Sequence, residues 1–172
     1  VDKRIVTDQI VLTIGYDIEN LTNPLISSKY KGDISIDVYG RKIPKHAHGT
    51  INLKRQTSSS NMIIDAALEL YDRIINKSLL VRRINIVANH VINENDIKHE
   101  EQYEQLDLFT DYDEVLLKRK EEDEKLLRER KMQEAVLSIK KKYGKNAVLK
   151  GMNFEEGATA ISRNSQIGGH KA

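Results

Sequence analysis

Residues 49–92 read GTINLKRQTSSSNMIIDAALELYDRIINKSLLVRRINIVANHVI, and the fold turns on where their period changes. GTINLKRQ alternates, with Ile51 and Leu53 on one side and Thr50, Asn52 and Lys54 on the other, as a half-buried strand does. From residue 58 the period lengthens. Ile63, Ala67, Leu70 and Ile74 recur at helical spacing, and Ser59 or Ser60 stands where a helix N-cap belongs. VRRINIVANHVI (81–92) returns to a strand, with Ile84, Ile86 and Ala88 on one face and Arg83, Asn85 and Val87 on the other. Upstream, QIVLTIGY (9–16) places Ile10, Leu12, Ile14 and Tyr16 on one face and Gln9, Val11, Thr13 and Gly15 on the other. Strand, strand, helix, strand predicts an α+β domain, a mixed or antiparallel sheet with a helix on one face. The opposite face would carry Thr13, Asn52, Lys54, Arg83 and Asn85, which is polar and basic. Between the first two strands, Ile34, Ile36 and Val38 alternate before Tyr39-Gly40-Arg41, predicting a small hairpin.

The organisation after residue 92 is different. Residues 93–112 predict an acidic extended linker, 113–143 a long charged helix ending near Gly144, and 144–172 a polar tail without periodicity. Glu121–Lys125 and Glu124–Arg128 have the spacing of i,i+4 ion pairs on that helix. Its apolar residues are too irregular for a long coiled coil.

Composition sets outer bounds. Among 172 residues, 39% are apolar and 31% charged, so part of the chain is compact and part is solvated. There is no cysteine, which removes disulfides and thiolate metal sites and fits a reducing cytoplasm. No apolar run is long enough to span a membrane, and the first residues lack the pattern of a signal peptide. The chain opens without Met and almost at a strand, the look of a piece of a longer protein.

A net charge of +2 hides a segregation. From Val38 to Ile64 there is no Asp or Glu, while Arg41, Lys42, Lys45, Lys54 and Arg55 accompany His46 and His48. From Glu94 to Glu114 acids dominate and Lys98 is the lone base. A basic face on a near-neutral chain suggests a polyanion partner. KRQTSSSN (54–61) runs from a basic strand end into a helix N-terminus, so Lys54 and Arg55 can neutralise phosphates while Thr57 and Ser58 donate hydrogen bonds. Lys45, His48, Asn52, Arg82 and Arg83 complete the expected DNA-binding set. A serine-capped helix explains Ser59 and Ser60 without any ligand, but not the bases before them.

Catalytic motifs are missing from the sequence: no Gly-rich phosphate loop, nucleophile elbow or HExxH. His46 and His48 flank one residue, the spacing of two ligands, where zinc takes three or four. A small metal-dependent nuclease is thus the weakest reading, behind a basic strand edge. The remaining anomaly is Gln105-Leu106-Asp107-Leu108-Phe109, three large apolar residues in an acidic linker. One amide with two or three apolar anchors on a flexible segment is the form of a short linear peptide motif.

That pentapeptide resembles the bacterial sliding-clamp-binding motif, QL-S/D-LF, and matches it at every usual position. TDQIVLTIGYD (7–17), HGTINLKRQTSSS (48–60), the helix through Ile75 and LLVRRINIVANHV (79–91) resemble the little-finger domain of Y-family translesion DNA polymerases. YGRKIPKHAHGT (39–50) and KGMNFEEGATAISRNSQIGGHKA (150–172) resemble the UmuC-like (ImpB/MucB/SamB) group of Gram-positive bacteria. The resemblance implies a little-finger domain over 1–92, DNA-binding, entered at its second strand and therefore short of one strand and one covering helix. It implies primer-template DNA and the sliding clamp as partners, with no membrane, and makes the truncated sheet edge a place for self-association. The catalytic carboxylates and Mg²⁺ of such a polymerase would lie upstream, so no catalytic residue, metal ligand or cofactor is expected within these residues. The rival expectation is a non-catalytic adaptor recruiting a partner through QLDLF and the long helix.

Overall fold

The computed structural model describes residues 1–97, 112–167 and 170–171. The chain divides into two compact units, Arg4–Glu101 and Val1–Lys3 with Gln102–Ala172. QLDLF lies outside the described residues.

The first unit is built on β1 (Ile5–Tyr16). Two short helices follow, α1 (Glu19–Thr22) and α2 (Pro24–Ser27), then a hairpin of β2 (Ile34–Ile36) and β3 (Lys42–Pro44). Asp37 sets the hairpin turn: its carboxylate accepts the N–H groups of Tyr39 and Arg41 at 2.9 Å, and Gly40 takes the φ of +77° that the turn requires. β4 (Ala47–Thr57), α3 (Ser60–Ile74) and β5 (Val81–Asn89) complete an antiparallel sheet in the order β4-β1-β5, so the architecture is α+β. A left-handed residue, His90 at φ 49°, turns the chain into β6 (Ile92–Asn93), which returns to pair with Ile5 and Val6.

The alternation in β1 fixes the core. Ile10, Leu12, Ile14 and Tyr16 are buried on one face, directly opposite Ile51, Gly49 and Ala47 of β4. Each fully buried aliphatic side chain stabilises by about 1.5–3 kcal/mol. α3 lays Ala66, Ala67 and Leu70 onto this face, and Ser59 caps it by accepting the Met62 N–H at 3.2 Å. The fit is tightest at Gly49, where an added Cβ would come within 2.9 Å of Leu70 Cδ1 and 3.0 Å of Ile74 Cγ2. Past the helix, the Tyr16 hydroxyl accepts the Asn76 N–H at 2.9 Å and ties that turn back to β1.

α3 packs mainly on β4 and β1. Arg73 places it, donating to the Thr50 carbonyl on β4 at 2.9 Å. The flank of α3 opposite Arg73 carries Ile64, Leu68 and Tyr71 and therefore looks toward β5. Ile84 and Ile86 pair with Ile14 and Leu12 and share their face, yet they remain 48% and 56% exposed. An apolar trough walled by α3 and floored by β5 is thus left open.

The second unit centres on α4 (Tyr112–Tyr143), a helix of 32 residues and about 48 Å. Lys118–Glu114 (2.6 Å) and Arg130–Glu134 (3.2 Å) are i,i+4 pairs on it. The expected Glu121–Lys125 and Glu124–Arg128 pairs do not form among the described residues. Lys141 bonds Asp2, which holds the Asp2 carboxyl below its ordinary value. Gly144, at φ +95°, ends the helix, and its N–H returns to the Lys140 carbonyl at 3.0 Å. The segment expected as an aperiodic tail contains a 3-10 turn at Gly151–Phe154, then α5 (Ala160–Asn164), β7 (Gln166–Ile167) and β8 (His170–Lys171). Asn146 links its ends by donating to the Ile161 carbonyl (3.3 Å) and accepting from Asn164 (2.6 Å). Elements this short, held by side-chain amides, leave no hydrophobic period to read.

Candidate nucleic-acid interface

The uncovered face of the sheet is built by register. Thr13 lies between His48 and Asn85, Val11 between Thr50 and Val87, and Gln9 between Asn52 and Asn89; Gly15 faces Arg83. From Gln9 to Gly15 this face extends about 20 Å along β1, and three strands make it about 10 Å wide. That is the size of a stretch of nucleic-acid backbone, not of a single anion. Its paired positions include no carboxylate and no Phe, Tyr or Trp.

Two hydrogen-bonded rows fix the side chains. Gln9 Nε2 donates to Asn52 Oδ1 at 2.8 Å, and Asn89 Nδ2 donates to Gln9 Oε1 at 3.0 Å. This chain of amides spans all three strands. Thr13 Oγ1 and His48 Nδ1 form the second row at 3.0 Å. Ordered side chains lose less entropy when a ligand arrives.

The basic side chains differ in where the fold places them. Pairing jumps from Gln9–Asn52 to Thr7–Thr57, so β4 bulges between these points, and the bulge exposes Lys54 and Arg55 side by side on the edge strand. Arg83 is exposed opposite Gly15. Arg82, one residue earlier, bonds Asp17 at 3.3 Å. The Asp17 carboxyl sits below its ordinary value because it accepts the Glu19 N–H and, secondarily, because of Arg82. Lys45 pairs with Asp33 at 3.0 Å. Lys45 and Arg82 therefore present charges already partly balanced.

One expected contact is corrected. Thr57 is buried, and its hydroxyl accepts the Ser59 N–H at 3.0 Å, so it shapes the entry to α3 and does not face a ligand. Ser58 beside it is half-buried. At the first turn of α3, the Met62 N–H is already taken by Ser59. His46 and His48 stand edge to face with ring centres 6.5 Å apart, and among the described residues no third His, Asp or Glu joins them.

The sheet thus brings together His48, Asn52 and Arg83, with Lys54 and Arg55 at its edge. Sequence reasoning left Gln9 and Asn89 out of the expected set. Their parity puts them on this face, but only the register reveals the continuous amide row. Clamp-motif residues Gln105, Leu106, Asp107, Leu108 and Phe109 lie outside the described residues. No protein family, curated protein or solved structure matches the chain.

Proposed function

We propose that the outer face of β4-β1-β5 holds the backbone of duplex DNA. On this reading the chain is the little-finger and clamp-tethering part of a UmuC-like, Y-family translesion DNA polymerase acting in the cytoplasm. The observation that carries the reading is the ordered, polar face free of carboxylates, edged by Lys54, Arg55 and Arg83. Surfaces that grip single strands stack bases on aromatic rings, and this face has none. Duplex backbone asks instead for cations and amide donors, which position the duplex without choosing its sequence.

The resemblance of Gln105-Leu106-Asp107-Leu108-Phe109 to a clamp-binding peptide supplies the second half of the reading. Tethering to a clamp raises the effective concentration of a weakly held enzyme at its primer end. Nucleotidyl transfer with Mg²⁺ would belong to the catalytic part of such a polymerase and uses no residue here. A Gln105→Ala, Leu108→Ala, Phe109→Ala chain should lose affinity for a bacterial sliding clamp and keep its affinity for duplex DNA. Unchanged clamp affinity in a titration overturns the motif assignment.

The open trough favours a second reading, an adaptor that recruits a protein partner. It also bears on self-association. Two copies joined edge to edge through β5 would set their α3 helices about 19 Å apart, given strands about 4.8 Å apart. Packed helices stand 8–10 Å apart, so such a dimer would pair the edge and leave the trough unfilled.

A further inference from the structure

The exposed side of α4 changes character along its length. At 100° per residue, Arg128, Lys131, Ala135, Ser138 and Lys142 fall within an arc of about 80°. All five are exposed. This arc holds no carboxylate between Arg128 and Tyr143; one turn earlier it becomes acidic at Glu124. Glu134, the nearest acid beside it, is bonded by Arg130 at 3.2 Å. Arg128, Lys131 and Lys142 pair with no carboxylate among the described residues, and the Lys142 ammonium lies 5.2 Å from the Tyr143 ring centre. Glu129, Val136 and Leu137, toward the opposite side, are buried or half-buried, so the basic stripe is the face α4 turns to solvent.

We infer that this stripe is a second duplex-DNA contact, distinct from the sheet face. Eleven residues separate Lys131 from Lys142, about 16 Å along the helix. The major groove is about 12 Å wide and admits an α-helix. Cations at the two ends of the stripe reach the phosphate ridges on either side. Ala135 and Ser138 between them are short enough for the helix to approach. The contact is electrostatic and indifferent to sequence. It stands independently of the sheet face, because variants in α4 and in the sheet are read separately.

The test is a fluorescence-anisotropy titration of a duplex of about 20 base pairs with the full chain, between about 50 and about 200 mM salt. The variant is Arg128→Gln, Lys131→Gln, Lys142→Gln; Gln keeps a similar helix propensity, so far-UV circular dichroism should not change. Lys29→Gln, Lys31→Gln, Lys77→Gln removes the same charge elsewhere. Each phosphate contact loses about 3.5-fold over this salt range. The advantage of the unaltered chain over the α4 variant should therefore shrink by roughly 40-fold from low to high salt. The charge-matched control should stay close to the unaltered chain. Equal behaviour of the two triple variants overturns the inference, as does an α4 variant that binds like the unaltered chain. A single strand of the same length that competes through α4 as well as the duplex does overturns the groove geometry.

Discussion

Asn20 is fully buried in a four-residue helix and does the work of a strand. Its Nδ2 donates to the Asp17 carbonyl at 2.8 Å and to the Leu80 carbonyl at 2.9 Å, and its Oδ1 accepts the Leu80 N–H at 2.8 Å. The amide thereby satisfies the backbone at Leu80, just before β5, and fixes where the strand that carries Arg82 and Arg83 begins. Asn20→Ala removes three hydrogen bonds of about 1 kcal/mol each. It also leaves the Leu80 N–H to find another partner, at about 1–3 kcal/mol if it stays dry, whereas the Leu80 and Asp17 carbonyls keep the Asp17 and Asn20 N–H groups. Leu80 is 45% exposed, so water can reach part of this backbone and the upper end is not expected. The net loss should be about 2–3 kcal/mol. At an m-value of about 1.5 kcal/mol/M, the urea midpoint should fall by about 1–2 M. Circular dichroism follows the transition without a Trp, which the chain lacks. A loss below about 0.5 kcal/mol, the level of an ordinary surface substitution, would refute the role given to Asn20.

Other outcomes follow from the same geometry. Gly49→Ala should destabilise by about 1–3 kcal/mol, because Leu70 is fully buried and cannot swing away from the new methyl; a neutral result in the same urea titration contradicts the packing of α3 on β4. Asp17, whose carboxyl is held below its ordinary value, contributes stability that is present above about pH 3.9 and is lost as pH falls through its folded value. Asp17→Asn should therefore flatten the acid limb of the stability profile below about pH 4, and an unchanged limb contradicts the assigned bonds.

The main elements of the first unit could be read because their periods differ. Ile10, Leu12, Ile14 and Tyr16 alternate, Ile63, Ala67, Leu70 and Ile74 do not, and the structure packs Leu12, Ile14 and Tyr16 with Leu70 in one core, with Ile74 against it. The long helix was equally legible, from its charge pattern and Gly144. Asn20 was not, because a single polar residue replacing strand hydrogen bonds has no period. Nor was the burial of Thr57: its type suits a phosphate ligand, and only the turn into α3 shows its hydroxyl occupied by Ser59. The outer face was half legible. Parity put Thr13, Asn52, Arg83 and Asn85 together, but the Asn52–Gln9–Asn89 row depends on a register supplied by partners 43 and 80 residues away in sequence. Exposure of Ile84 and Ile86 follows from the placement of α3, which their own alternation cannot report.

The claim that matters most is the DNA grip of the sheet face, and the salt dependence of duplex binding tests it most directly. Lys54→Gln with Arg83→Gln should weaken binding of the full chain to duplexes of unrelated sequence by the same factor. It should also reduce the slope of log K against log salt by about 1.8, two phosphate contacts. Unchanged affinity and slope, with the fold intact by circular dichroism, would contradict the account.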